Sequence, residues 1–285
     1  MLSILIPTYN YNIVPLVEDV FEQASKCQVA FEILVYDDGS NSILNIENES
    51  INLLENCFFK ELPRNIGRSS IRNLLGNDAK YDYLIFIDAG TIPLKKNFIK
   101  NYITVKNKTI SVGGMTYGKK PLHKNHKLRW LYTKKRESTN GLHSSNFLIK
   151  KSLFQTNIFD ESIKKYGCED VLFFNNLIEN NYKIHKINNP VIHAADDDAN
   201  TFVKKTEYAI ENLIQLIDED KLSITHYNIS KIYKKLNALK LDKFTAQFYQ
   251  LLKPLLIRNF NSNHPSILLF DFYRLGFYCS LKTKY

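Results

Sequence analysis

The sequence has few cysteines, and no two of them stand in a CxxC pair. Cys27, Cys57, Cys168 and Cys279 lie far apart in a chain of 285 residues. That spacing excludes a zinc knuckle and argues against a disulfide framework, so a reducing compartment is expected. No run of about 18 uncharged apolar residues occurs, so no membrane-spanning helix is expected. Met1 to Pro7 is apolar but lacks a basic leader, and no signal peptide is expected. A glycine-rich loop with basic residues, able to cradle a triphosphate, is also missing: the N-terminal strand runs out as Leu5-Ile6-Pro7-Thr8-Tyr9. Basic residues are dispersed, with no aromatic-interleaved basic motif, which speaks against nucleic-acid binding. There is no internal repeat and no low-complexity tract.

What is present is ordinary for a globular protein. Hydrophobic residues make up 44% and charged residues 24% of the chain. At this length a chain buries roughly 75% of its unfolded surface and needs no staples. The net charge of +9 permits phosphate-rich partners without choosing among them.

Apolar runs and helical periodicities alternate along the first 200 residues. Leu2 to Ile6 and Phe31 to Tyr36 are short, mainly apolar runs, as buried parallel strands require, and a third strand is expected within 51–62. Val14 to Cys27 has helical spacing, Asn65 to Asn77 reads as a loop entering a helix, and Tyr83 to Ile87 is another strand. Further strands are expected at Ile110 to Met115, Phe147 to Ile149 and Val191 to Ala194, and a helix from Glu169 to Asn180. Lys119 to Arg136 is basic and irregular and reads as a mobile loop or lid. From Asn200 the pattern is helical, broken at Pro254 and at 261–265. The alternation predicts an α/β fold with an open, mostly parallel sheet over residues 1–200 and a helical C-terminal extension over 201–285. In such sheets ligands bind beyond the carboxyl ends of the strands.

Four groups of polar residues fall at those ends. Asp37 and Asp38 can accept hydrogen bonds from a nucleobase or ribose, or cap a turn before Gly39-Ser40. Asp88 can hold a divalent ion beside a diphosphate, or simply end its strand before Gly90. Glu169 and Asp170 open a helix, where carboxylates are favoured by the dipole, and where one can serve as a general base. His193 follows an apolar run; a lone histidine is more often structural, and a phosphate-metal site nearby raises its claim as a ligand.

Their order and spacing resemble the family 2 glycosyltransferases of the GT-A fold. Ser3 to Asn10 (SILIPTYN) and Val35 to Ser40 (VYDDGS) are similar to that family's opening. Asn65-Ile66-Gly67 with Ile71-Arg72-Asn73 resembles its next block, and Asp88-Ala89-Gly90 stands where its Asp-x-Asp motif falls. Asn157 to Glu161 and Gly167 to Asp170 resemble its acceptor-side blocks.

The resemblance implies a nucleotide-sugar pocket. Pro7, Thr8 and Tyr9 would line the base, Asp37 and Asp38 would bind base and ribose, and Asn65, Gly67 and Arg72 would shape the nucleotide side. Asp88 and Ala89 would lie by ribose and diphosphate. Asp170 matches the catalytic base, with Glu169 beside it, and His193 matches a position near the metal. A divalent cation, Mn2+ or Mg2+, is the implied cofactor, held by Asp88 and His193. Gly90 replaces the second aspartate of the metal motif, which puts metal use in question and keeps a non-catalytic nucleotide-sugar-binding module in view. A nucleotidyltransferase ranks lower. No Gln-x-x-Arg-Trp motif occurs, which points to single-sugar transfer. The implied enzyme is an inverting hexosyl- or N-acetylhexosaminyltransferase using a nucleotide-sugar, UDP-linked by resemblance, and a glycan or lipid-linked acceptor in polysaccharide biosynthesis.

The expected location is cytoplasmic, with peripheral contact at the inner face of the cell membrane. From Asn200 on, thirteen Lys and Arg stand against seven Asp and Glu. Two readings stay open for that segment. The stretches Ile229 to Leu239 and Ile267 to Leu281 can lie in lipid headgroups, or they can form a helical cap packed by its own apolar faces.

Overall fold

The computed structural model describes residues 1–138, 141–194, 197–225 and 227–283. Its chain divides into two compact units. The first comprises 1–118, 136–164 and 169–194, the second 119–135, 165–168 and 195–285.

The first unit is built on a seven-stranded sheet, in order β3-β2-β1-β4-β8-β6-β9. The strands are β1 (Leu2–Thr8), β2 (Phe31–Asp37), β3 (Cys57–Glu61), β4 (Tyr83–Ile87), β6 (Ile110–Val112), β8 (Asn146–Lys150) and β9 (His185–Lys186). Strands β1 to β4 are parallel, and β8 is antiparallel to both β4 and β6. The apolar runs are explained by burial on both sides. Ile4, Ile6, Ile33, Val35, Ile85 and Ile87 pack on one face against the helices Val14–Ser25 and Phe98–Thr104. Their alternates Leu5, Leu34, Leu84 and Phe86 pack on the other face, against Arg68–Asp78, Lys151–Thr156 and Glu169–Glu179. On that side Phe86 stacks on Phe147 at 4.8 Å and Phe159 on Phe173 at 4.2 Å.

A small second sheet joins β5 (Thr91–Pro93), β10 (Val191–His193) and β7 (Met115–Tyr117), in order β5-β10-β7. The strand expected at Ile110 to Met115 is therefore divided. β6 ends at Val112, and the chain resumes as β7 after Gly113 and Gly114, the latter at φ +84°. A Cβ on Gly113 would lie 1.9 Å from the Asn146 side chain, so glycine is needed there.

The second unit is helical. Lys127–Tyr132, Ala199–Asp218, Asp242–Phe260 and Ile267–Lys282 contribute to one core containing Leu128, Phe202, Tyr249, Phe260, Phe270 and Tyr273. Asp198 caps Ala199–Asp218 by accepting from Thr201 N at 2.9 Å. Asn212 on that helix donates to the carbonyls of Lys165, Tyr166 and Gly167.

Two expectations are corrected here. The 119–136 segment is largely helical, not a loop: Leu128, Arg129 and Trp130 are buried, with the Arg129 guanidinium 4.8 Å over the Phe202 ring and hydrogen-bonded to Thr133. Its charge disguised a buried element, because an aromatic face and a hydroxyl satisfy the guanidinium. Pro254 lies inside Asp242–Phe260 and does not end it. The carbonyl it deprives of a partner is four residues back, at Gln250, an exposed residue. Of the two readings left open for Ile267 to Leu281, the helical cap fits Phe270, Tyr273 and Tyr278, which the helix Ile267–Lys282 buries completely. Among the described residues no helix is long and apolar enough to cross a membrane.

Candidate active site

Every residue singled out from the sequence as a site residue falls in the first unit, and most stand at the carboxyl ends of β1, β2 and β4 or on the turns and helix starts that follow. Pro7 and Thr8 end β1, with Tyr9 exposed just beyond. Asp37 ends β2 beside Thr8, its register partner, and the Asp38 N–H donates to the Thr8 carbonyl.

Both aspartates of the pair are buried and each holds a turn. Asp37 accepts from Ser40 N at 2.7 Å and from Ser40 Oγ at 2.8 Å. Asp38 accepts from the N–H groups of Ile66 at 2.7 Å and Gly67 at 3.0 Å, which clamps the loop that carries exposed Asn65. Burial pushes the Asp38 carboxyl above its ordinary value, against the two N–H donors. Two glycines make these turns feasible. Gly39 has φ +66° with Arg64 backbone packed against it, and Gly67 has φ +95° immediately before the helix Arg68–Asp78.

Asp88 follows β4, and its N–H donates to the Ser145 carbonyl. Its carboxylate meets Arg72 Nη2 at 2.6 Å, and Arg72 is fully buried, with Nη1 donating to the Arg68 carbonyl. Ala89 and Gly90 continue the turn into β5. Backbone pairing of Thr91 with His193, and the Ala194 N–H on the Gly90 carbonyl, set His193 beside this turn.

Glu169 and Asp170 begin the helix Glu169–Glu179 and behave oppositely. Glu169 is buried and accepts from Arg68 Nε at 2.6 Å. Burial alone would raise its carboxyl, but the charges of Arg68 and Arg72 outweigh this and hold it below the usual value. Asp170 is pushed up by burial and then by the Glu169 charge, which outweigh the opposing effects of His143, the Val171 N–H and Arg72. The two neighbouring carboxylates are thus pushed in opposite directions, Glu169 toward the anion and Asp170 toward holding a proton.

Sequence reasoning missed Arg68, His143, Asn73 and Ser145. Asn73 binds the Phe159 backbone through both its amide atoms, with Nδ2 also donating to Glu161 at 2.8 Å, so it staples the segment 159–161 to the helix Arg68–Asp78. Arg68 and Glu169 lie 101 positions apart, and no local pattern announces such a pair. Arg72 Nε, Thr8 Oγ1 and Ser145 Oγ are buried polar atoms without a protein partner, leaving hydrogen-bonding capacity at the ends of the adjacent strands β1, β4 and β8.

A resident divalent ion does not fit the donor set. Asp88 already meets a guanidinium, position 90 offers no carboxylate, and among the described residues no three His, Cys, Asp or Glu side chains converge.

Residues 3–161 match the profile of Glycosyl transferase family 2, more than half of the chain, and the chain belongs to that family. The mixed α/β architecture with its mostly parallel sheet is the one the resemblance implied. Among solved structures, the mannosyltransferase PcManGT from Pyrobaculum calidifontis, in complex with GDP-Man and Mn2+, is similar with a TM-score of 0.51 at 15% identity. That match covers 76% of this chain and 64% of that one, and the likeness is one of fold. S. aureus TarS 1-349 in complex with UDP-GlcNAc is similar at TM-score 0.48 and 17% identity, over 99% of this chain and 92% of that one. A longer S. aureus TarS structure matches at TM-score 0.47 and 19% identity over 75% of this chain, which spans 39% of that one. No curated protein sequence matches the chain.

Proposed function

We propose that this chain is an inverting glycosyltransferase that moves one sugar from a nucleoside-diphosphate sugar, UDP-linked, to a hydroxyl of a glycan or lipid-linked glycan. The observation that carries this reading is the Glu169–Asp170 pair: Glu169 is fixed as an anion by Arg68, and Asp170 is raised toward the range useful to a general base. In the reaction Asp170 takes the acceptor proton. The acceptor oxygen bonds to the anomeric carbon as the bond from that carbon to the diphosphate oxygen breaks, and the electron pair leaves with the nucleoside diphosphate. A single in-line displacement inverts the anomeric centre.

The nucleotide would lie over β1 and β2, with Pro7, Thr8, Tyr9, Asp37 and Asp38 on the base and ribose. Asn65, Gly67, Arg72, Asp88 and Ala89 would shape the diphosphate side. Asp88 and His193 remain the protein's candidate ligands for an ion brought in with the diphosphate.

Acceptor-dependent release of UDP from a panel of UDP-sugars tests the proposal. Release by the wild-type chain, with an inverted product linkage, is expected. Gly90 favours one competing reading, a binding module without turnover; binding of nucleotide-sugar with no release for any acceptor would establish that reading instead.

A further inference from the structure

The helix Asp242–Phe260 has two apolar faces; one is buried, and the other is largely exposed, with Phe248 edge-on to Phe272 at 5.9 Å. Ala246, Tyr249, Leu256 and Phe260 are buried. On the opposite side Phe244, Phe248, Leu251 and Leu255 follow the spacing of one helical stripe, and Phe244, Leu251 and Leu255 are 65%, 74% and 62% exposed. Phe244 and Phe248 stack on each other, at 6.1 Å between ring centroids. At 1.5 Å per residue the stripe is about 16 Å long. Exposed Lys240 and Lys243 stand at its start and exposed Arg258 at its end. Between positions 227 and 260 seven Lys and Arg accompany a single acid, Asp242, which is buried.

We propose that this stripe is a membrane-docking ridge that inserts Phe244, Phe248, Leu251 and Leu255 among the acyl chains of an anionic lipid surface while the flanking cations meet the headgroups. Charge selects the occupant. A second copy of the chain would bring the same lysines face to face, whereas an anionic surface neutralises them. Shape agrees: the exposed side chains project from one helix, and a lipid surface deforms around a ridge. The contact stands on the helix alone and does not depend on the transferase reading. If that reading holds, docking brings the site to lipid-linked acceptors.

Co-sedimentation of the full chain with vesicles tests the proposal. Vesicles of phosphatidylcholine alone are compared with vesicles containing about 30% phosphatidylglycerol, at about 20 mM and about 500 mM salt. Binding is expected only to the anionic vesicles and only at low salt. The double variant Leu251→Gln/Leu255→Gln alters exposed positions, should keep the wild-type melting temperature, and should lower vesicle partition at least about tenfold. Lys240→Glu/Lys243→Glu should do the same with the apolar stripe intact, which keeps the test decisive if the first variant is unstable. Wild-type protein that stays in the supernatant with anionic vesicles overturns the proposal, as does equal pelleting of both variants. A solution dimer that Leu251→Gln dissociates would assign the stripe to a second copy and overturn it too. A nucleotide-sugar thermal shift read on the same samples separates the two claims, because its absence counts against the transferase reading alone.

Discussion

Replacing Asp170 by asparagine keeps the shape of the side chain and removes its capacity to take a proton. The local structure should survive, because an amide oxygen can still accept from the Val171 N–H now bonded to Asp170 Oδ1 at 2.8 Å. Loss of a general base costs about a hundred- to ten-thousand-fold in rate, equivalent to about 3–5 kcal/mol of transition-state stabilisation. Stability should change in the other direction. Burial and Glu169 raise the Asp170 carboxyl in the folded chain, so the folded state holds this proton more tightly than the unfolded one. The group therefore favours folding most below its unfolded value, and this contribution is lost as pH rises to the raised folded value. Asp170→Asn should melt at a higher temperature than wild type at neutral pH, with the difference vanishing in acid. Wild-type activity should fall as pH drops through the same raised value. Steady-state UDP release and thermal melts across pH measure both. Near-normal turnover by the variant, or a melting temperature below wild type at neutral pH, would refute the reasoning.

Three further perturbations probe the frame around the base. Arg72→Gln leaves Asp88 without its guanidinium and should cost about 3 kcal/mol in chemical denaturation, with Arg72→Lys recovering only part because one ammonium cannot replace the fork. Gly90→Asp meets no atom within 4 Å of the new Cβ, so it should fold normally and bind Mn2+ more tightly than wild type in titrations with UDP present; unchanged affinity would count against Asp88 and His193 as the neighbouring ligands. Gly39→Ala would set a Cβ 2.3 Å from the Arg64 backbone at φ +66°, and should lower stability by at least about 1 kcal/mol and weaken nucleotide binding, both read in one thermal-shift series.

The fold was legible where burial is two-sided. Leu2 to Ile6, Phe31 to Tyr36 and Tyr83 to Ile87 are apolar but for Ser3 and Glu32, which bond to each other, because helices cover both faces of β1, β2 and β4. Strands of two or three residues, such as β5, β7 and β9, are too short to carry a period and are fixed by their neighbours in space. The helix at 127–132 was hidden by its own charges, since Arg129 is buried over Phe202. Within the candidate site the carboxylates could be read from strand ends and from the resemblance. The charge relations among them could not, because they depend on Arg68 meeting Glu169 and Arg72 meeting Asp88 across long stretches of chain. The orphaned hydroxyls of Thr8 and Ser145 depend on packing that no local pattern encodes.

In the proposed reaction the carboxyl ends of β1, β2 and β4 hold a nucleoside-diphosphate sugar. A thermal-shift panel of UDP-, GDP- and ADP-linked sugars, each with and without Mn2+, tests it most directly, because a ligand that binds only the folded state raises its melting temperature by mass action. A shift is expected with UDP-sugars, one that Asp170→Asn retains and that Mn2+ alone does not produce. No shift with any nucleotide-sugar at millimolar concentration, or a full shift with Mn2+ alone, would contradict it.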